Sequence, residues 1–291
     1  MAQPIPFTLI IPAHNEAAVI ARCLRTILAD APADHRMQII VAANGCTDRT
    51  AEIARSAAPD ATVLDLPTGS KTAAMNAANR IARHFPRIYL DADVQCSYSS
   101  LLAVAQALLE PGVMAAAPAL RMDLSRSNWF VRAYYRVWLT QPYVKRNLVG
   151  SGCFGLSEEA YARIGDFPPI TGDDIWVYSR FAEAERRNVA HDSAGRPTWF
   201  LVSPPRRARD QIRVETRRRL GNEQLLKHYP SPHYSGSNSF ADLRDALREG
   251  ASLIDICVYL AIKALVRLRV KRAKRQRQEI VWERDLAARE V

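Results

Sequence analysis

The chain has 291 residues, 48% of them hydrophobic and 24% charged, and a formal net charge of +10 at pH 7. These are globular values that exclude a disordered polyelectrolyte, and the length suits one large α/β domain or a domain with an appendage. The five cysteines (Cys23, Cys46, Cys96, Cys153, Cys257) are odd in number and scattered, with no Cys-x-x-Cys pair, which argues for a reducing compartment and against a zinc site or disulfide framework.

The opening MAQPIPFTLIIPAHNE runs directly into a strand, without the basic and long apolar regions of a leader, and a cytoplasmic protein is expected. No stretch reaches 18 uninterrupted apolar residues, so a conventional membrane span is not expected. From Arg206 to Val291 there are twenty Lys/Arg against eleven Asp/Glu, so the front of the chain is close to neutral and the excess belongs to the tail.

The first 120 residues alternate. FTLIIPA reads as a strand, and the helix after it places Ile20, Leu24, Ile27 and Leu28 at helical spacing. MQIIVAAN is a second strand, followed by a helix that Asp48 caps. ATVLDL, a helix from Lys71, RIYLDAD, a helix over SLLAVAQALLE and the strand VMAAAPAL complete the series. Such alternation implies right-handed crossovers and a mainly parallel sheet flanked by helices. Beyond Leu120 the pattern is irregular. An aromatic helix over NWFVRAYYRVWL, a Gly-rich VGSGCFGLS, a helix from Ser157, a helix opening at Asp173 or Asp174 and two short strands precede an Arg-rich segment. The chain divides into 1–228, with halves 1–120 and 121–228, a polar linker over 229–240, and a basic helical segment over 241–291.

Five of these stretches carry chemistry. A strand ending in Pro-Ala-His-Asn-Glu and passing into a helix leaves backbone N–H groups open to an anion, with Glu16 in the first turn; a plainly capped helix accounts for the same residues singly. Asn44-Gly45 turns tightly beside it. Lys71, after Gly69-Ser70, suits a phosphate as a point charge, although the full Gly-x-x-x-x-Gly-Lys-Ser spacing is missing and a P-loop is rejected. Asp91 and Asp93 end an apolar strand, where ligands bind in open α/β sheets. The two acids share a divalent cation there, or one holds a metal and the other a ribose or sugar hydroxyl; a solvated loop with two capping aspartates is the plain alternative. The acidic pair at Asp173-Asp174 is either capping or a carboxylate that takes a proton from a hydroxyl nucleophile.

Taken in order, IPAHNE, VAANGCTDRT, GSKTAAMNAA, LDADV, GSGCFGLS and TGDDIWVYSRF resemble a family 2 glycosyltransferase of the GT-A fold, over residues 5 to 225. The resemblance implies inverting transfer from a nucleotide-activated sugar with Mg²⁺ or Mn²⁺. Carried over, Pro12, Ala13 and Glu16 line the nucleoside pocket and Asn44 stands near the base. Asp91 contacts the ribose or donor sugar, Asp93 binds the metal with Asp91 beside it, and Lys71 belongs to the donor site. Asp174 matches the catalytic base, with Arg180 six residues on and Asp173 in place of the usual glutamate. Asn44 replaces an acid that reads uracil, which puts a UDP donor in question. The Gln-x-x-Arg-Trp signature of processive members is missing, which points to transfer of one sugar.

Arg213, Arg217 and Arg218 are expected to help hold the diphosphate, with a solvated helix face as the plain alternative. In the tail, Leu253, Ile256, Cys257, Leu260, Ala264 and Val266 fall at mostly helical spacing before a basic run. This reads as an amphipathic helix on an anionic membrane surface serving a lipid-linked acceptor, or as a helix packed on the domain. Two other functions are weighed. A nucleotidyltransferase needs a Gly-rich phosphate loop after the first strand, where PAHNEA has no glycine. A nucleic-acid-binding protein would use the basic tail, but no recognised module is present and none is expected as partner.

Overall fold

A computed structural model describes residues 5–145, 148–234 and 240–275. Its elements run β1 (Phe7–Ala13), α1 (Ile20–Leu28), β2 (Met37–Asn44), α2 (Thr50–Ala57), β3 (Thr62–Leu66), α3 (Lys71–Ile81), β4 (Arg87–Leu90), β5 (Gln95–Cys96) and α4 (Tyr98–Ala107). They continue as β6 (Ala115–Pro118), β7 (Leu120–Met122), α5 (Trp129–Trp138), α6 (Pro142–Lys145), β8 (Cys153–Leu156), α7 (Glu158–Ile164) and α8 (Asp173–Arg180). The last are β9 (Arg186–Val189), β10 (Phe200–Val202), α9 (Ala208–His228), α10 (Phe240–Arg248) and α11 (Leu253–Arg275).

The described chain forms two compact units, residues 5–121 with 148–202, and residues 122–145 with 203–234 and 240–275. In the first, seven strands lie in the order β3-β2-β1-β4-β8-β6-β9. β1 pairs in parallel with β2 and β4, and β2 with β3, so three consecutive crossovers bring the ends of four parallel strands to one sheet edge. β8 is antiparallel to both β4 and β6. β5, β10 and β7 form a second, three-stranded sheet, in that order. Every residue of β1 is buried, the signature of a central strand covered on both faces. The core gathers Leu9 and Ile11 of β1, Ile20, Leu24 and Ile27 of α1 and Leu101 and Val104 of α4. Ser70, Ser97, Asn128 and Ser157 cap α3, α4, α5 and α7 by accepting a backbone N–H.

The second unit packs α11 against α5 and α9. Its centre is polar. Glu215 is buried between Lys263 (2.8 Å) and Arg218 (2.8 Å), and Tyr134 stacks on Tyr259. Burial alone would raise the Glu215 carboxyl, but Arg218 and Lys263 outweigh it and hold it near 2. Asp255 and Arg136 close the other end at 2.6 Å. The apolar residues expected on a single face of the tail helix split: Ile256 and Val266 are buried, whereas Leu253, Cys257, Leu260 and Ala264 are exposed.

Candidate active site

The loops after β1 and β2 are laced together. Asn15 and Thr47 exchange two hydrogen bonds, at 2.6 and 3.0 Å. The N–H groups of Asn15, Glu16 and Ala17 donate to Cys46 Sγ, Thr50 Oγ1 and Asp48 Oδ2. The open anion cradle expected there is therefore filled by the chain's own side chains, and α1 begins only at Ile20. Pro12 and Ala13 lie buried at the end of β1, and Glu16 is buried on the loop that follows. Asn44, 1% exposed, donates its amide to Ala13 O at 2.9 Å and Ala42 O at 3.1 Å, so it stitches the ends of β1 and β2. Gly45 adopts φ +55° with the next loop pressed against it: a Cβ would stand 2.6 Å from Gly69 N. His14 packs over Gly69 and is held by Asn44 O through Nδ1.

Lys71 opens α3 and reaches into a cluster of acids. Its Nζ lies 2.6 Å from Asp91 Oδ1 and 2.9 Å from Asp173 Oδ2, with the side chain 25% exposed. Burial alone would lower the ammonium pKa, but Asp173 and Asp91 outweigh it, so Lys71 stays charged. Asp173 is only 5% exposed; burial, reinforced by Asp174 and Asp91 and opposed by Lys71, pushes its carboxyl up to about 6.

The loop before β8 joins the two acidic ends. Gly150, Ser151 and Gly152 all have positive φ (125°, 58° and 103°). Ser151 N donates to Asp174 Oδ2 at 3.2 Å, and Gly152 O accepts from Asp91 N at 2.9 Å. A Cβ on Gly150 would stand 2.9 Å from Asp174 Cβ, and one on Gly152 2.7 Å from Val94 Cγ2. Only glycine fits at either end. Asp174 is half-buried at the start of α8, where Gly172 (φ 102°) turns the chain in.

Thus Lys71, Asp91, Asp173 and Asp174 meet in one place, although the sequence pattern assigned no part to Ser151 and gave Asp173 no partner. The signal for the loop was Gly-Ser-Gly itself; nothing local marks the Lys71 pairing. Asp93 sits in the turn that Val94 N closes onto Asp91 O at 3.0 Å. Asp91 and Asp93 are hard oxygen donors, and among the described residues no group of three or more His, Cys, Asp or Glu is disposed to hold a metal. Two carboxylates fit a small divalent cation whose other ligands are phosphate and water, which is how Mg²⁺ is commonly held. Arg213, Arg217 and Arg218 lie on α9 of the other unit, where Asp210 and Glu215 face Arg213 (3.7 Å) and Arg218 (2.8 Å).

A family model described as glycosyl transferase family 2 matches residues 8–156, just over half of the chain. No curated protein sequence matches. Among solved structures, a mannosyltransferase from Pyrobaculum calidifontis in complex with GDP-Man and Mn²⁺ is similar with a TM-score of 0.58 and 20% identity, covering 89% of this chain and 73% of its own. A mannosyl-3-phosphoglycerate synthase from Rubrobacter xylanophilus is similar at 0.52 and 19% identity, over 80% and 78%. A glucosyl-3-phosphoglycerate synthase from Mycobacterium tuberculosis, in complex with Mn²⁺, UDP and glucosyl-3-phosphoglycerate, gives 0.51 and 19% over 80% and 83%. These likenesses show the fold.

Proposed function

Because the chain belongs to glycosyl transferase family 2, we propose that it moves a single sugar from a nucleotide-diphosphate sugar to an acceptor hydroxyl, with inversion at the anomeric carbon. The observation that carries this reading is the Gly150–Gly152 loop, which bonds the strand end bearing Asp91 on one side and Asp174 on the other.

Asp174 takes the proton from the acceptor hydroxyl as its oxygen attacks the anomeric carbon from the face opposite the leaving diphosphate. Ser151 N and Ile175 N each donate to one carboxylate oxygen of Asp174, at 3.2 and 2.8 Å, and so orient the group towards the acceptor hydroxyl. Pro12, Ala13, Glu16 and Asn44 line the nucleoside pocket at the ends of β1 and β2. Asp91 holds the ribose or donor sugar, and Lys71 holds the phosphates. Asp91 and Asp93 would hold Mg²⁺ or Mn²⁺, which when bound neutralises the charge growing on the diphosphate. Residues 1–120 serve the nucleotide and 121–228 the acceptor. The acceptor is lipid-linked or otherwise membrane-held, and the enzyme is cytoplasmic, peripheral on the inner face of the membrane.

The test is a thermal-shift panel of UDP-, GDP-, dTDP- and CMP-sugars with Mn²⁺. One donor should raise the melting midpoint, because a ligand of the folded state stabilises it by mass action. No shift with any donor, and no donor hydrolysis, would refute the reading.

A further inference from the structure

Helix α11 has two apolar faces. One, with Ile256, Tyr259, Ile262, Val266 and Val270, is buried in the second unit. The other carries Leu253, Cys257, Leu260, Ala264 and Leu268, which recur every three or four residues and so form one stripe. It is uncovered: Leu253 is 69% and Leu268 64% exposed. At 1.5 Å per residue the stripe is about 22 Å long. Along the same line the chain then places Lys271 and Arg275, flanked by Arg267, Arg269 and Arg272, and no acid occurs from Ile256 to Arg275. The pairs Arg136–Asp255 and Tyr134–Tyr259 make α5 antiparallel to α11. The exposed aromatic pair Trp129–Phe130, at the start of α5, therefore lies at the basic end of the stripe.

We infer that this face is the docking surface for an anionic bilayer, with the stripe in the acyl boundary and the cations at the lipid phosphates. The inference rests on the membrane-held acceptor proposed above for its purpose. Charge complementarity selects the occupant. A nucleic acid would satisfy the cations but leave the leucines in water. A second copy of the helix would set cations against cations if parallel, or against the apolar half of its neighbour if antiparallel. A membrane interface offers phosphate and hydrocarbon within one helix width, and aromatic side chains favour that zone. No described helix is long and apolar enough to cross the membrane, so docking lies in the plane of the surface.

Co-sedimentation of the full chain with vesicles tests this, using phosphatidylcholine alone and equal parts of phosphatidylcholine and phosphatidylglycerol. The chain should pellet with the anionic vesicles, stay in the supernatant with neutral ones, and lose most of its binding near 1 M salt, where the Debye length is about 3 Å. Leu260→Ser/Leu268→Ser and, separately, Arg269→Gln/Lys271→Gln/Arg272→Gln should each weaken binding at least ~10-fold at an unchanged melting midpoint. These positions are at the surface, so folding is not at stake. Undiminished pelleting of the serine variant would overturn the inference, and so would undiminished pelleting of the glutamine variant. A lipid-free dimer in sedimentation velocity that the serine variant dissolves would assign the face to a second copy instead. The assay needs neither donor nor acceptor, so a failed donor panel refutes the transferase reading and leaves this result standing.

Discussion

Lys71 Nζ stands 2.9 Å from Asp173 Oδ2, so the first residue of α3 is ion-paired with the first residue of α8. The same ammonium holds Asp91, and one cation thereby fixes the helix that presents Asp174 relative to the strand end that presents Asp91. Replacing Lys71 with Met leaves Asp173 buried without its counter-charge. Breaking a buried pair costs about 3–5 kcal/mol, and because Asp173 readily takes a proton the expected loss is roughly 2 kcal/mol at pH 8. A thermal melt giving the wild-type midpoint would show that the pair carries no stability.

The raised pKa of Asp173 gives a signed dependence on pH. In the unfolded chain the group titrates near ~3.9, while in the folded protein it titrates at about 6. Between those values the folded state binds more protons than the unfolded one, so this contribution falls as pH rises through that window. Asp173→Asn should remove that part of the slope when melting midpoints are followed from pH 4 to 7. An unchanged slope would assign the titration elsewhere.

Asp174→Asn should keep donor binding and lower transfer by about 10²–10⁴-fold, the range of a positioned general base. Asp93→Ala should do the reverse and abolish metal-dependent donor binding. Isothermal titration with donor and Mn²⁺, beside a turnover assay, separates the two. Normal turnover by Asp174→Asn would remove the base assignment.

Gly150→Ala tests the loop without touching a charged group. Its Cβ would press on Asp174 Cβ at 2.9 Å, in a backbone conformation that alanine rarely adopts. A displacement of an ångström or less at a catalytic group costs on the order of 10²-fold. The expected outcome is a fall in kcat with donor affinity intact.

In the second unit, Glu215→Ala leaves Lys263 and Arg218 facing each other without the carboxylate between them. A loss of about 3 kcal/mol is expected at neutral pH. The folded pKa of Glu215 is depressed to about 2, so its contribution is present above the unfolded value of ~4.3 and fades as pH falls towards 2. Wild type and variant should therefore converge in acid melts, and parallel curves would contradict the assignment.

The alternation of β1 through α4 was legible because buried parallel strands and amphipathic helices differ in hydrophobic period. The ends of those strands were legible too, since Asp91, Lys71 and Asn44 fall where the period breaks. Pairings between distant segments were not. Nothing near Asp173 announces Lys71, 102 residues earlier (173 − 71). The antiparallel insertion of β8 depends on a loop of three left-handed residues, and two glycines in a sequence do not specify their φ. The helix start after Ala13 looked open to an anion because the hydroxyl of Thr50, which fills it, arrives from the next crossover. Residues 276–291, part of the basic tail, lie outside the described residues. For α11 the period was readable, but a helix apolar on two sides shows one blurred pattern until its neighbours reveal which side they take.

The route of the chain through its two units bears on how it is made. Arg136 and its partner Asp255 are 119 residues apart. At a ribosomal rate of about 5–20 residues per second, α5 waits roughly 6–24 s before α11 is synthesised. Through that interval Tyr134, Val137 and Trp138 have no finished bundle to enter, and a nascent chain with bare aromatics is a chaperone client. A premature stop before Leu253 would make that state permanent, so loss of residues 253–291 should register as degradation before any sugar transfer can be assayed.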